Sequence, residues 1–279
     1  MGSYTFRKFK NRLMIFLAFL ALVLALVPLI SIILETVTRG LPAINLAFLT
    51  QEIPPLGESG GGIGPAIQGT LIIVVLASAW AVPIGLLSGI CVAEYHESKI
   101  ASIIRFMNDV LSGMPSIVLG IFGWIMIVVV VGWSVLAGAF AVGIIMIPIV
   151  SRTTEEAIKL VPGTIREAAL ALGVPRWRTT LSVVLSSSKT GIVTGILLAV
   201  ARIAGETAPL LLTILGSQFW FAGIYQPTAA LPLSIFNLAQ SPFQAVDWPR
   251  AWGASLVLIT MILGIYIVVR YLTREKYSG

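Results

Sequence analysis

The sequence predicts an all-α polytopic membrane protein with six transmembrane helices, and three observations carry that expectation. Of the 279 residues, 57% are hydrophobic and 11% charged, too little polar character to clothe a soluble domain of that length. The apolar residues gather into runs of the roughly 20 residues that cross a bilayer. Basic residues, in turn, collect on alternate connections between the runs. Residues 1–279 therefore read as a single membrane domain.

The first run, about 13–34, follows Arg7, Lys8, Lys10 and Arg12. It is longer than the h-region of a cleaved signal peptide, so the expectation is a retained helix with a cytoplasmic N-terminus. Residues 35–65 are turn-rich, with Pro54-Pro55 and the Gly60-Gly61-Gly62 run. A second span is placed at 66–93, interrupted by Pro83 and Gly85. A polar connection from Glu94 to Asp109 leads into residues 110–150, which hold no charge. That stretch is too long for one span, and Gly132-Trp133-Ser134 divides it into spans at 110–131 and 134–150. The charged segment 151–189 comes next, then a fifth span at 190–216. Residues 217–250 mix aromatics with prolines, the composition of an interfacial belt or a shallow re-entrant hairpin. The sixth span, 252–272, is closed by Arg270, Arg274 and Lys276.

Charge tests this topology. With both termini in the cytoplasm, fifteen Lys and Arg fall on inside segments and two, Arg39 and Arg250, outside; Arg202 lies within a span. The net charge of +6 is then a consequence of topology in a chain bathed in membrane lipid, and no nucleic-acid surface is expected. Cys91 and His96 are each alone, which leaves no disulfide framework and no metal-ligand cluster. Ser188-Lys189-Thr190 lacks the glycines of a phosphate cradle, and Gly60-Gly61-Gly62-Ile63-Gly64 runs into Pro65. Neither stretch binds a nucleotide, and no enzyme is expected in this chain.

The segment 151–189 is punctuated like a docked helix. Pro162-Gly163 stops one helix, and Thr164 stands three residues before Glu167, the spacing of a capping box. Two turns later Gly173 sits where a left-handed cap belongs, and Pro175 is placed to open the next helix. Ala168, Ala169 and Ala171 give the short helix a small face. Docking into a partner and lying on lipid headgroups are both compatible with this. Glu167-Ala168-Ala169, Gly173 and Val183-Val184-Leu185 resemble the EAA loop of ABC importer permeases, whose short coupling helix sits in a groove of the ATPase subunit. The usual pattern ends in proline where this chain has Ser186.

Arg202 and Glu206 are four residues apart inside the fifth span, on one helix face. Counted from Thr190, Arg202 lies roughly 18 Å along a helix, near mid-membrane, where a charge faces a protein interior or a wet cavity. Pro209 has no N–H and frees the carbonyl of Gly205. A substrate pathway and a self-contained ion pair that fixes packing both satisfy these facts.

Residues 201–210, Ala-Arg-Ile-Ala-Gly-Glu-Thr-Ala-Pro-Leu, resemble a signature of the A-type permeases of phosphate-specific (Pst) ABC importers. Gly61–Ile67, Gly113–Val118 and Arg152–Glu156 match the same family, so the resemblance covers nearly the whole chain beyond the first span. It implies the type I ABC importer permease fold in the inner membrane, and transport of phosphate past Arg202, Glu206 and Pro209. It implies coupling through Thr164, Glu167, Ala168, Ala169 and Gly173. It also implies a second homologous permease, a cytoplasmic ATPase dimer that holds ATP and Mg, and an extracytoplasmic phosphate-binding protein. The competing readings are a permease for another oxyanion or small solute, and a stand-alone secondary transporter or channel.

Overall fold

The computed structural model describes residues 2–273; Arg274 and Lys276 lie outside the described residues. The regular structure of the described residues is helical apart from one isolated bridge, Leu215 with Thr228. The helices are α1 (Gly2–Gly40), α2 (Leu46–Thr50), α3 (Gly64–Glu94), α4 (Lys99–Gly113), α5 (Ser116–Val131) and α6 (Val135–Lys159). They continue as α7 (Gly163–Ala171), α8 (Arg176–Ala204), α9 (Ala208–Thr213), α10 (Leu231–Ala239) and α11 (Gln244–Thr273). Among the described residues, α1, α3, α6, α8 and α11 are long and apolar enough to cross a membrane alone, and the bent pair α4–α5 passes the same test when taken together, as a sixth, broken span.

The centre of the bundle is α6. Its Val135, Ala139, Val142, Met146 and Val150 recur at helical spacing and are buried against Ile73, Ala77 and Ala81 of α3 and Ala199 and Ile203 of α8. Lipid supplies no hydrophobic drive for helix association, so small residues that let backbones approach carry the packing. Gly191 of α8 meets Ala157, and Gly195 meets Thr153, an antiparallel register that fixes the relative depth of the two helices. By contrast, the most apolar stretch of α1 has no buried residue; the helix touches the bundle where Gly40 meets Trp252 and Leu256 of α11.

Several boundaries differ from the sequence expectation, each for a local reason. The polar connection 94–109 is mostly α4: Ser98 caps its start by accepting from the Ala101 N–H. Its hydrophobic face is one stripe, Ile100, Ile103, Phe106 and Met107, too sparse to read as an apolar run. The third span is therefore a broken one. Pro115 cannot continue α4, and the chain turns by 103° into α5. The fourth span runs on to Lys159, because Thr153, Ser151 and Thr154 are accommodated by protein. The fifth helix starts at Arg176 and stops at Ala204, so the predicted span 190–216 is displaced and contains a break at 205–207. The sixth starts at Gln244, eight residues before the predicted Trp252.

Residues 217–230 form no helix, and they help enclose a cavity of about 870 Å³ with Ile53, Phe219, Trp220, Leu233 and Phe236 among its walls. Beside it, buried Asp247 accepts from Gly57 N–H and Ser241 Oγ and pairs with Arg250. Arg250 also donates to the Gly60 carbonyl. The glycine run is thus pinned to the start of α11.

Candidate functional site

Two features anticipated from sequence lie at different depths of the bundle. The first is α7, held between the ends of α6 and α8. Pro162 occupies its N-cap position with no side-chain cap. The capping box expected of Thr164 and Glu167 is absent. The helix begins two residues early, at Gly163 rather than Ile165, so Thr164 already has helical backbone and its hydroxyl cannot reach back over the first turn. The other end is built as the sequence suggested. Gly173 has φ +78°, its N–H donates to Leu170, and Val174 N–H reaches back to Ala169, a Schellman closure. Ala169 faces inward and is buried, whereas Thr164, Glu167, Ala168, Leu172 and Gly173 are exposed. The uncovered face is therefore a shallow platform of small residues edged by one carboxylate.

Under α7 lies a contact that sequence reasoning missed. Arg166 Nη1 donates to Glu94 Oε1 at 2.7 Å, and Thr180 Oγ1 to Glu94 Oε2 at 3.1 Å. Arg166 Nη2 also donates to the Ile158 carbonyl at 3.2 Å. A signal was present: Glu94 is the last residue of an apolar helix, where the macrodipole disfavours a carboxylate, so a cation was to be sought nearby.

The second feature is the pair Arg202 and Glu206. The register of Gly191 with Ala157 and Gly195 with Thr153, continued along both helices, brings Arg202 level with Met146, near the middle of α6. The mid-span depth follows from this packing; the count from Thr190 started on a helix that begins fourteen residues earlier, at Arg176. Arg202 lies in the last turn of α8 and Glu206 in the break, after which Pro209 stands in the first turn of α9. Their closest atoms are 3.7 Å apart, with the Arg202 side chain 61% exposed and that of Glu206 14%. No hydrogen bond to Arg202 side-chain nitrogen is present among the described residues, so the guanidinium keeps its five donors available. Gly120 of α5 rests on Pro209, which places the broken third span directly against the broken fifth.

Below Arg202 one face of α8 stays uncovered. Ser187, Thr190, Thr194, Leu198 and Arg202 are exposed, while Ser188, Ile192, Gly195 and Ala199 on the opposite face are buried. A stripe that is polar but for Leu198 and ends in an uncovered guanidinium at mid-span is unfavourable against hydrocarbon by about 2.5 kcal/mol or more for the arginine alone. That face belongs to water or to another protein. Among the described residues no group of His, Cys, Asp or Glu is arranged to hold a metal ion.

A helical membrane domain with a platform helix at one end, and an exposed guanidinium beside two mid-span helix breaks, fits one class: a transport permease. Residues 81–276 match the family described as "Binding-protein-dependent transport system inner membrane component", and the chain belongs to that family. It is 42% identical to a phosphate transport system permease protein of Yersinia pestis over 97% of this chain and 92% of that one. A relative of the same description from Pasteurella multocida is 43% identical, over 97% of both chains. A probable phosphate transport system permease of Methanocaldococcus jannaschii is 38% identical over 97% of this chain and 96% of its own length. The inward-facing MetNI methionine ABC transporter has the same fold, at TM-score 0.60 and 16% identity, over 76% of this chain and 95% of that one. The architecture is accordingly the type I ABC importer permease fold, in a multi-pass inner-membrane protein.

Proposed function

We propose that this chain is the permease subunit of an ATP-driven phosphate importer and that Arg202 is its donor to the anion. The observation that carries this is the uncovered guanidinium at mid-depth, in a chain resembling phosphate transport permeases along nearly its whole length. A tetrahedral oxyanion offers several acceptors to the planar fork of an arginine. Glu206, mostly covered and 3.7 Å away, orients that fork and competes with the anion for it, so phosphate is held weakly enough to leave.

The orientation that agrees with the basic residues puts α7 and both termini in the cytoplasm. There α7 meets an ATPase dimer through Glu167, Ala168 and Gly173, and ATP and Mg belong to that partner. A second, homologous permease covers the polar face of α8 and completes the path. An extracytoplasmic phosphate-binding protein delivers the anion at the opposite end, where the aromatic-lined cavity opens. ATP-driven closure of the ATPase dimer moves α7 and switches the path from inward- to outward-open.

Copurification of the complex, followed by uptake in liposomes, tests the reading. Phosphate with its binding protein should stimulate ATP hydrolysis and accumulate inside; stimulation by another oxyanion but not by phosphate would reassign the substrate. Uptake by this chain without any ATPase would make it a secondary transporter.

A further inference from the structure

The docking helix α7 is joined covalently to α6 before it and α8 after it. The helix α3 has no such link: Glu94 ends it, and the chain passes through α4, α5 and α6 before it reaches α7. The connection between α3 and α7 is instead made by one side chain. Both carboxylate oxygens of Glu94 are engaged, Oε1 by Arg166 of α7 and Oε2 by Thr180 in the first turns of α8. Arg166 carries the contact on to the last turn of α6 through the Ile158 carbonyl. Four helix ends thus converge on one Glu94–Arg166 pair, whose side chains are 16% and 27% exposed.

We propose that Glu94 is the residue through which movement of the docking helix reaches α3, and with it the mid-span site. Glu94 is a positioning residue: it touches neither substrate nor nucleotide. The onward path is physical. Arg105 of α4 donates to the Val92 and His96 carbonyls at the end of α3, at 3.3 and 3.2 Å. Asn108 of α4 donates to buried Ser151 of α6 at 2.8 Å. Beyond the turn at Pro115, α5 rests on Pro209, next to Glu206 and Arg202. A displacement at α7 that α3 follows therefore tilts α4, and the 103° bend converts that tilt into a shift of α5 against Pro209. Charge-assisted bonds to both carboxylate oxygens make the Glu94 joint directional; a swivelling single contact would let α7 move alone.

This inference rests on the reading of α7 as the ATPase-docking helix, and the experiment separates the two. The intact complex is reconstituted in liposomes, and ATP hydrolysis and phosphate uptake are measured on the same vesicles. Wild type is compared with Glu94→Gln, Glu94→Asp, Thr180→Val and the exchange Glu94→Arg with Arg166→Glu. Glu94→Gln should copurify with the ATPase and hydrolyse ATP at a rate within about twofold of wild type. Its uptake should fall about tenfold, the scale of one lost charge-assisted hydrogen bond, so that the ATP consumed per phosphate rises. A purely structural loss lowers both rates together and leaves that ratio alone. Glu94→Asp and the exchange should each bring the ratio part of the way back. An unchanged ratio in Glu94→Gln, or no recovery in the exchange, overturns the proposal. Should Glu94→Gln fail to assemble, Thr180→Val, which removes one of the two contacts, decides: a raised ratio supports the joint and an unchanged one overturns it. Failure of the wild-type chain to retain the ATPase would instead overturn the docking reading itself.

Discussion

Gly173 shows how much one residue reveals. Its φ of +78° is a conformation that costs an L-residue about 1–2 kcal/mol, and a Cβ built there meets nothing within 4 Å of this chain. Gly173→Ala should therefore lower the stability of the isolated subunit by about 1 kcal/mol. Any greater loss of ATP-driven uptake must come from a partner surface. Gly173→Asp, which adds a charge to the platform, should leave the protein in the membrane and uncouple transport; full uptake by that variant would remove α7 from the docking role. The Arg202 and Glu206 pair allows an equally sharp test by charge exchange. An ion pair that only fixes packing tolerates exchange in part, whereas a transport site does not, because donor and acceptor move about 6 Å along the path. Near-normal uptake in Arg202→Glu with Glu206→Arg would return both residues to a packing role. Glycine 173 was legible in the sequence because left-handed backbone selects residue type strongly. The cap expected from Thr164 was not, because a two-residue shift of the helix start moves a hydroxyl out of reach without changing the pattern.

At the scale of the element, helices interrupted inside the bundle carry the site. Long apolar runs announced the spans, since bilayer thickness is a hard constraint on them. Their interruptions were harder to read. Pro115 lies within an uncharged stretch, and residues 205–207 sit between apolar runs on either side, where composition cannot tell a kink from a full break. The π-type turns at Thr179–Val184 likewise join 176–178 to α8 and extend that helix well before Thr190. Its uncovered stripe makes a prediction. In a Cys91→Ser background, free of other cysteines, Thr194→Cys in the assembled complex should react with a small charged thiol reagent, and phosphate should slow the reaction. Labelling only by a membrane-soluble reagent would put that face in lipid, and no labelling in any state would put it in a dry permease interface.

For the molecule as a whole, fold class and family were within reach of the sequence, because hydropathy, charge placement and the 201–210 motif agree. The joint at Glu94 was not, since Glu94, Arg166 and Thr180 are brought together by tertiary packing across 86 positions. Leu172, 84% exposed on the platform, offers a position at which to measure orientation directly. With Leu172→Cys in the same cysteine-free background, labelling should require opening of the cell, and labelling of intact cells from outside would invert the topology.

The isolated position of α1 also has a consequence in time. Gly40 meets Trp252 and Leu256, so α1 has a neighbour in α11, which is made much later. Roughly 200 residues must be synthesised between them, which takes about 10–40 s at about 5–20 residues per second. Through that interval α1 must stand alone in the bilayer, and a surface that is apolar on every side equips it to wait. A polar substitution on α1, such as Leu24→Asn, should therefore act during biogenesis: less protein would reach the membrane, while each molecule that completes assembly would transport at the normal rate.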